Sequence, residues 1–277
     1  MISGKTTLIA HIGYPTESFK APMIYNPWFD KKGIDAVVVP MGVKPEDYVA
    51  FLPLLFRMSN IRGALVTMPH KVTTMSLVHE TTPTARIAGA CNAVLLREDG
   101  TLLGDQFDGA GFVRGVERKG RSFRGARVLV SGAGGVGCAI AASIAAAGAA
   151  HLSLFDLNTA SVEGLAQRLR AHYPQLTVST GSKDPAGYDV IVNATPLGMK
   201  ESDPLPFDVE RIEPSTFVGE VVMKTEYTPL LKAAMARGCE VQVGTDMLFE
   251  MIPAYLEFFG FGTATADELR ESATLKY

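Results

Sequence analysis

The segment Val128-Leu129-Val130-Ser131 runs straight into Gly132-Ala133-Gly134-Gly135-Val136-Gly137, and an alanine-rich stretch follows at once. Three glycines in GxGxxG spacing between a β-branched run and a helical one leave few folds open. Gly132 permits a tight turn, Gly134 lets backbone approach a phosphate, and Gly137 lets helix and strand pack closely. The N–H groups at the start of that helix then face an anion. The next apolar run, Leu152-Ser153-Leu154-Phe155, ends in Asp156, at roughly the 20-residue distance of a ribose-binding acid. Turn, helix and acid in this order predict a dinucleotide site on a parallel α/β sheet. A carboxylate at Asp156 accepts ribose hydroxyls and repels a 2′-phosphate, while the neighbours Leu157 and Asn158 bring no arginine. The expected cofactor is therefore NAD in preference to NADP.

The rest of the chain repeats the alternation. Strands are expected over 8–13, 36–40 and 63–68, with helices over 21–32 and 45–58, the second kinked at Pro53. A hairpin over 93–104 turns at Asp99-Gly100, and a second alternating series runs from Arg127 to Gln242. The tail over 244–277 is helical in pattern, with Met247, Leu248, Met251, Ile252, Tyr255, Leu256, Phe258 and Phe259 needing a surface to cover. The fold class is α/β, and 277 residues suggest about two domains.

Composition narrows the partners. With 47% hydrophobic residues and a net charge of -3, the chain has material for a core and no field for a polyanion. Nucleic acid and membrane surfaces are excluded as expectations, leaving a small-molecule substrate, with monomer and homodimer both open. Cys91, Cys138 and Cys239 are far apart and form no framework, and no signal peptide is apparent, so a cytoplasmic protein is expected. The five histidines, including His11, show no metal-ligand spacing, and no metal is expected.

A dehydrogenase needs an acid–base group beside its reacting alcohol. Lys71 follows the strand that ends near Pro69, where open α/β sheets bind ligands, and its ammonium can return a proton to a reduced carbonyl. Asp108, at the inferred crossing between domains, can orient it.

Thr67-Met68-Pro69-His70-Lys71, Gly89-Ala90-Cys91-Asn92-Ala93-Val94 and Gly104-Asp105-Gln106-Phe107-Asp108-Gly109 together resemble three motifs of the shikimate/quinate dehydrogenase family. The glycine loop, Asn193-Ala194-Thr195-Pro196-Leu197-Gly198-Met199 and Thr228-Pro229-Leu230-Leu231 follow in the same order, so the resemblance covers nearly the whole chain. It implies an N-terminal α/β substrate domain over 1–106, joined by 246–277, and a Rossmann-type domain over 107–245, with the last helix returning to the first domain. It implies Lys71 and Asp108 as the catalytic pair, with Thr67 and Asn92 on substrate hydroxyls. The expected cofactor contacts are Gly132, Ala133, Gly134, Gly135, Val136, Gly137, Asp156, Asn158, Asn193, Ala194, Thr195, Pro196, Leu197, Met199, Val221, Gly244, Met247 and Leu248.

Departures from the family pattern fall on the substrate side. Where the family holds a carboxylate with two serines, this chain has Phe19 and Ala21. The asparagine of the first motif is Leu65, and Met223 and Met251 stand where a tyrosine and a glutamine are expected. Phe19, Ala21, Met223 and Met251 are expected to line an altered pocket, with Glu220 and Lys224 offering polar groups. The reading is a paralogue with such a pocket, oxidising an alcohol of a small cyclic hydroxy acid or relative. The alternatives are a true quinate or shikimate dehydrogenase with a rearranged carboxylate site, and a silent dinucleotide or metabolite sensor.

Overall fold

The computed structural model describes residues 2–275; Met1 and the last two residues of the expected helical tail lie outside them. The chain divides into two compact units. One is built from the chain up to Phe107 and again from Met251 onward, and the other spans Asp108–Glu250.

The first unit begins β1 (Thr7–Gly13), α1 (Pro22–Lys32), β2 (Ala36–Gly42), α2 (Pro45–Leu55) and β3 (Ile61–Val66). It continues α3 (Lys71–Thr74), β4 (Glu80–Thr81), α4 (Pro83–Ala88), β5 (Ala93–Leu96) and β6 (Leu102–Asp105). Its sheet has the order β2-β1-β3-β5-β6-β4, parallel across β2-β1-β3 and β6-β4 and antiparallel across β3-β5-β6. β2 carries Pro40, tolerated because this strand is the sheet edge. Ile12, Ala64, Val66 and Val94 from the sheet meet Tyr48 and Leu52 of α2 in the core.

Boundaries differ from the sequence pattern at β2, which runs to Gly42 instead of 40, and at α2 and β3. α2 stops at Leu55 instead of running to 58. Pro53 lies inside it, and past Leu55 the N–H groups of Arg57 and Met58 close short turns on the Leu54 and Leu55 carbonyls instead of helical bonds. β3 begins and ends two residues earlier than expected. The Thr67 carbonyl accepts from His70 N–H (3.0 Å), so the chain is already turning there.

The second unit comprises α5 (Asp108–Arg118), β7 (Arg127–Ser131), α6 (Gly135–Ala146), β8 (His151–Phe155), α7 (Thr159–His172) and β9 (Thr177–Thr180). β10 (Val190–Asn193), β11 (Phe217–Glu220), α8 (Pro229–Ala236) and β12 (Val241–Gln242) follow. Its sheet is wholly parallel in the order β12-β11-β10-β7-β8-β9. The order reverses between β7 and β10, the crevice where doubly wound sheets bind dinucleotides. Leu129, Ile191 and Val218 pack against Leu230 and Leu231 of α8.

α9 (Gly244–Phe259) starts in the second unit and ends in the first, and α10 (Ala266–Ser272) belongs to the first. Gly63 of β3 leaves room for Phe259, since a Cβ there would collide with the Phe259 ring. No helix among the described residues is long and apolar enough to cross a membrane.

Candidate active site

The carboxyl ends of β1 and β3 form one edge of the first unit. His11 and Leu65 are register partners on adjacent parallel strands, so their side chains leave the same sheet face. Phe19 lies over His11 with ring centroids 4.0 Å apart and planes at 24°. Gly13 fits only because it lacks a Cβ, which would strike the Thr67 methyl and sit 2.8 Å from Phe19 Cζ. Thr67, Phe19 and His11 are thus drawn together at this edge. Ala21 is buried just before α1.

Lys71 opens α3 and is buried, 8% exposed. Its backbone carbonyl accepts from Cys91 N–H (2.9 Å), which ties it to the segment before β5. The next residue, Asn92, is 1% exposed. Its Oδ1 accepts from Phe107 N–H (2.9 Å), which fixes the amide orientation, and its Nδ2 has no protein partner. Tyr255 on α9 donates its hydroxyl to the Asn92 carbonyl (3.1 Å). Phe107 packs edge-on against Tyr255 and Phe258. Met251, also on α9, is buried. Asp108 is the first residue of α5 and of the second unit, buried, and covalently adjacent to Phe107.

His11 is the residue the sequence reading passed over. It interrupts the run Leu8-Ile9-Ala10-His11-Ile12, and a lone polar residue within a strand headed for the core was the available signal. Its Nδ1 is buried without a partner. Burial first, and the Lys71 charge second, push its pKa down to about 3, so the ring is neutral near pH 7.

In the second unit the glycine loop has the geometry its spacing predicts. Gly132 has φ +112, and a Cβ there would lie 2.5 Å from the Ala194 carbonyl oxygen. A Cβ on Gly137 would collide with the Gly132 carbonyl. At Gly134 a Cβ would meet nothing within 4 Å. Gly134 is also the N-cap of α6 and supplies no side-chain cap, so the first N–H groups of the helix, at Gly135 and Val136, are left uncapped beside this open space. A pyrophosphate fits this cradle.

The loop after β10 is organised by one side chain. Asn193 Nδ2 donates to the Leu197 carbonyl (2.9 Å) and to the Glu220 carboxylate, while its Oδ1 accepts from Thr195 N–H and Oγ1. Ala194, Thr195, Leu197 and Met199 are half-buried, and Pro196 is exposed. Glu220 also accepts from the N–H groups of Val221 (2.8 Å) and Val222 (3.0 Å) and from Thr228 Oγ1 (2.9 Å). Burial raises its pKa against the pull of these hydrogen bonds. Glu220 is therefore committed to holding loops and offers no polar group to a substrate, contrary to the expectation. Lys224 is exposed, and Met223 lies half-buried on the same segment. Gly244 abuts the Val222 carbonyl, where a Cβ would collide, and Met247 and Leu248 are buried on the turns of α9 that follow.

Asp156 is half-buried just past the end of β8. Its Oδ2 accepts from Ala133 N–H (2.7 Å) and its Oδ1 from Asn158 N–H (2.9 Å). The carboxylate closes the glycine loop onto β8, and Asn158 caps α7 through Ser161 N–H.

Residues 11–94 match the model of the shikimate dehydrogenase substrate-binding domain, and 113–177 match that of the ThiF family. A shikimate dehydrogenase (NADP(+)) of Rubrobacter xylanophilus is 37% identical over 89% of this chain and 88% of its own. The Rhodospirillum rubrum shikimate dehydrogenase (NADP(+)) is 34% identical over 98% of both chains. The chain belongs to the shikimate dehydrogenase family. Among solved structures, Listeria monocytogenes shikimate 5-dehydrogenase, in complex with shikimate and NAD, superposes with a TM-score of 0.87 at 28% identity, covering 98% of this chain and 97% of that one.

Family membership makes this chain a shikimate dehydrogenase-like oxidoreductase acting on CH–OH, and speaks against the divergent altered-pocket paralogue and the silent sensor. It also overturns the expected NAD preference, because the curated relatives are NADP(+) enzymes by name.

Proposed function

We propose that this chain is a shikimate dehydrogenase that oxidises shikimate reversibly at a ring secondary alcohol with NADP. The observation that carries the reading is that buried Lys71, its carbonyl held by Cys91 N–H, and the next residue, buried Asn92, whose Nδ2 is left for a ligand, lie at the carboxyl edge of the first sheet. Bound NADP+ supplies a hydride acceptor. Lys71 takes the hydroxyl proton during oxidation and returns it during reduction. Asp108, buried at the start of α5 one peptide past Phe107, is the second member of the proposed catalytic pair. Asn92 Nδ2 donates to one substrate oxygen, and Thr67 holds a second hydroxyl. Phe19, Ala21 and Met251 supply apolar contacts to the ring. We assign substrate to the first unit and NADP to the second. There the α6 N-terminus holds the pyrophosphate, and the Asn193-ordered loop with Val221 lines the nicotinamide side.

The test is formation of NADPH from shikimate and NADP+. A kcat/KM of about 10⁴ M⁻¹s⁻¹ or more is expected. Lys71→Ala should lower turnover by roughly 10²- to 10⁴-fold while NADP+ affinity is kept. Wild-type protein inert toward shikimate would refute the reading, and unchanged turnover in the variant would remove Lys71 from the mechanism.

A further inference from the structure

Of the buried polar groups in the first unit, His11 has a place the chemistry above does not use. It sits at the edge that holds Thr67 and Lys71. It is covered by Phe19, flanked by Leu65, and leaves Nδ1 without a partner. A buried polar nitrogen without a hydrogen bond is costly, and such groups in native proteins are usually satisfied by something. Phe19 and Leu65 beside it are apolar and Gly13 has no side chain, so none of these three can serve. The Lys71 charge acts on the ring, and the ring stays neutral beside it. A neutral imidazole next to an ammonium suits a ligand oxygen, because it adds a hydrogen bond without adding a second positive charge. The collar of Phe19 and Leu65 excludes water around that bond and strengthens it.

We propose that His11 is a specificity-determining residue, its Nδ1 hydrogen-bonding an oxygen substituent of the substrate ring, carboxylate or hydroxyl. This rests on the shikimate dehydrogenase reading given above. It assigns to β1 the polar recognition that Phe19 and Leu65 cannot provide. The two polarities are exchanged across one register pair: an apolar residue on β3 and an imidazole on β1.

The experiment compares wild type with His11→Phe and His11→Asn in steady-state kinetics with NADP+, using shikimate and its methyl ester. Phenylalanine keeps the stack on Phe19 and removes Nδ1; asparagine places an amide near the Nδ1 position. His11→Phe should raise KM for shikimate about 10-fold or more. Its KM for NADP+ should stay within about 2-fold, since the cradle is untouched. His11→Asn should recover most of the loss. An equal loss with the ester assigns the contact to a ring hydroxyl, and a smaller loss assigns it to the carboxylate. An unchanged KM in His11→Phe, or no recovery in His11→Asn, overturns the proposal while wild-type turnover leaves the shikimate reading intact. Wild type inert toward shikimate defeats that reading instead. Should His11→Phe not fold, the ¹⁵N shift of the His11 ring on adding shikimate decides: an unmoved Nδ1 resonance overturns the proposal.

Discussion

Acid should destabilise the first unit, and the His11 ring contributes a separable share. Folded His11 takes a proton only at about 3, whereas the unfolded chain takes one at 6.5. Between those values the unfolded state binds more protons, so this contribution is complete above 6.5 and is lost as pH falls toward 3. At about pH 5 the unfolded ring lies 1.5 units below its pKa, and at roughly 1.36 kcal/mol per unit the loss is about 2 kcal/mol. The limiting loss, near pH 3, is about 5 kcal/mol. His11→Phe has no such group, so the difference between the two proteins isolates it. His70 and His151, whose pKa values burial also lowers, are present in both and cancel. Urea unfolding at about pH 7 and pH 5 measures the double difference. Trp28 is the chain's one tryptophan and is buried in the first unit, so its fluorescence reports that unit alone. Wild type should lose about 2 kcal/mol more than His11→Phe between the two pH values. Parallel losses in both proteins would refute the reasoning.

Two further outcomes follow from the second unit. Glu220→Ala leaves one Asn193 Nδ2 hydrogen and the Val222 N–H without an acceptor in the interior, at about 1–3 kcal/mol each, so a total loss of about 2–6 kcal/mol is expected in urea or thermal unfolding. A change under about 1 kcal/mol would show that these donors find other partners. Gly137→Ala places a methyl against the Gly132 carbonyl; dinucleotide binding, measured by NADPH fluorescence quenching, should weaken at least about 10-fold, and full affinity would contradict the cradle geometry.

What the sequence made legible was chemistry confined to neighbouring residues. The glycine loop of 132–137 was readable because turn, approach and packing are each set by a missing Cβ at a fixed spacing. The hairpin at Asp99-Gly100 and the strand starting at Arg127 were readable for similar local reasons. The end of α2 was not, because the tight turns of Arg57 and Met58 on Leu54 and Leu55 end a helix that its apolar spacing would have continued. β4 is two residues long and exists only through its pairing with β6. At Glu220 the residue type was visible, but the donors that occupy its carboxylate were not. They include Asn193, 27 positions away. His11 was passed over because neither its burial nor its empty Nδ1 is written in its neighbours along the chain.

The first unit is assembled from both sides of the second. Tyr255 reaches back to Asn92, Phe259 accepts from Arg62 Nε (2.9 Å), and Thr274 N–H donates to the Met23 carbonyl (2.9 Å). During synthesis the residues around Lys71 leave the ribosome early, yet the hydroxyl that steadies Asn92 emerges more than 160 residues later. The second unit, continuous in sequence, has every one of its strands available before then. The order of translation thus puts the dinucleotide cradle first and the finished substrate edge last. A nascent chain halted before Met251 should bind NADP and remain unable to complete Asn92.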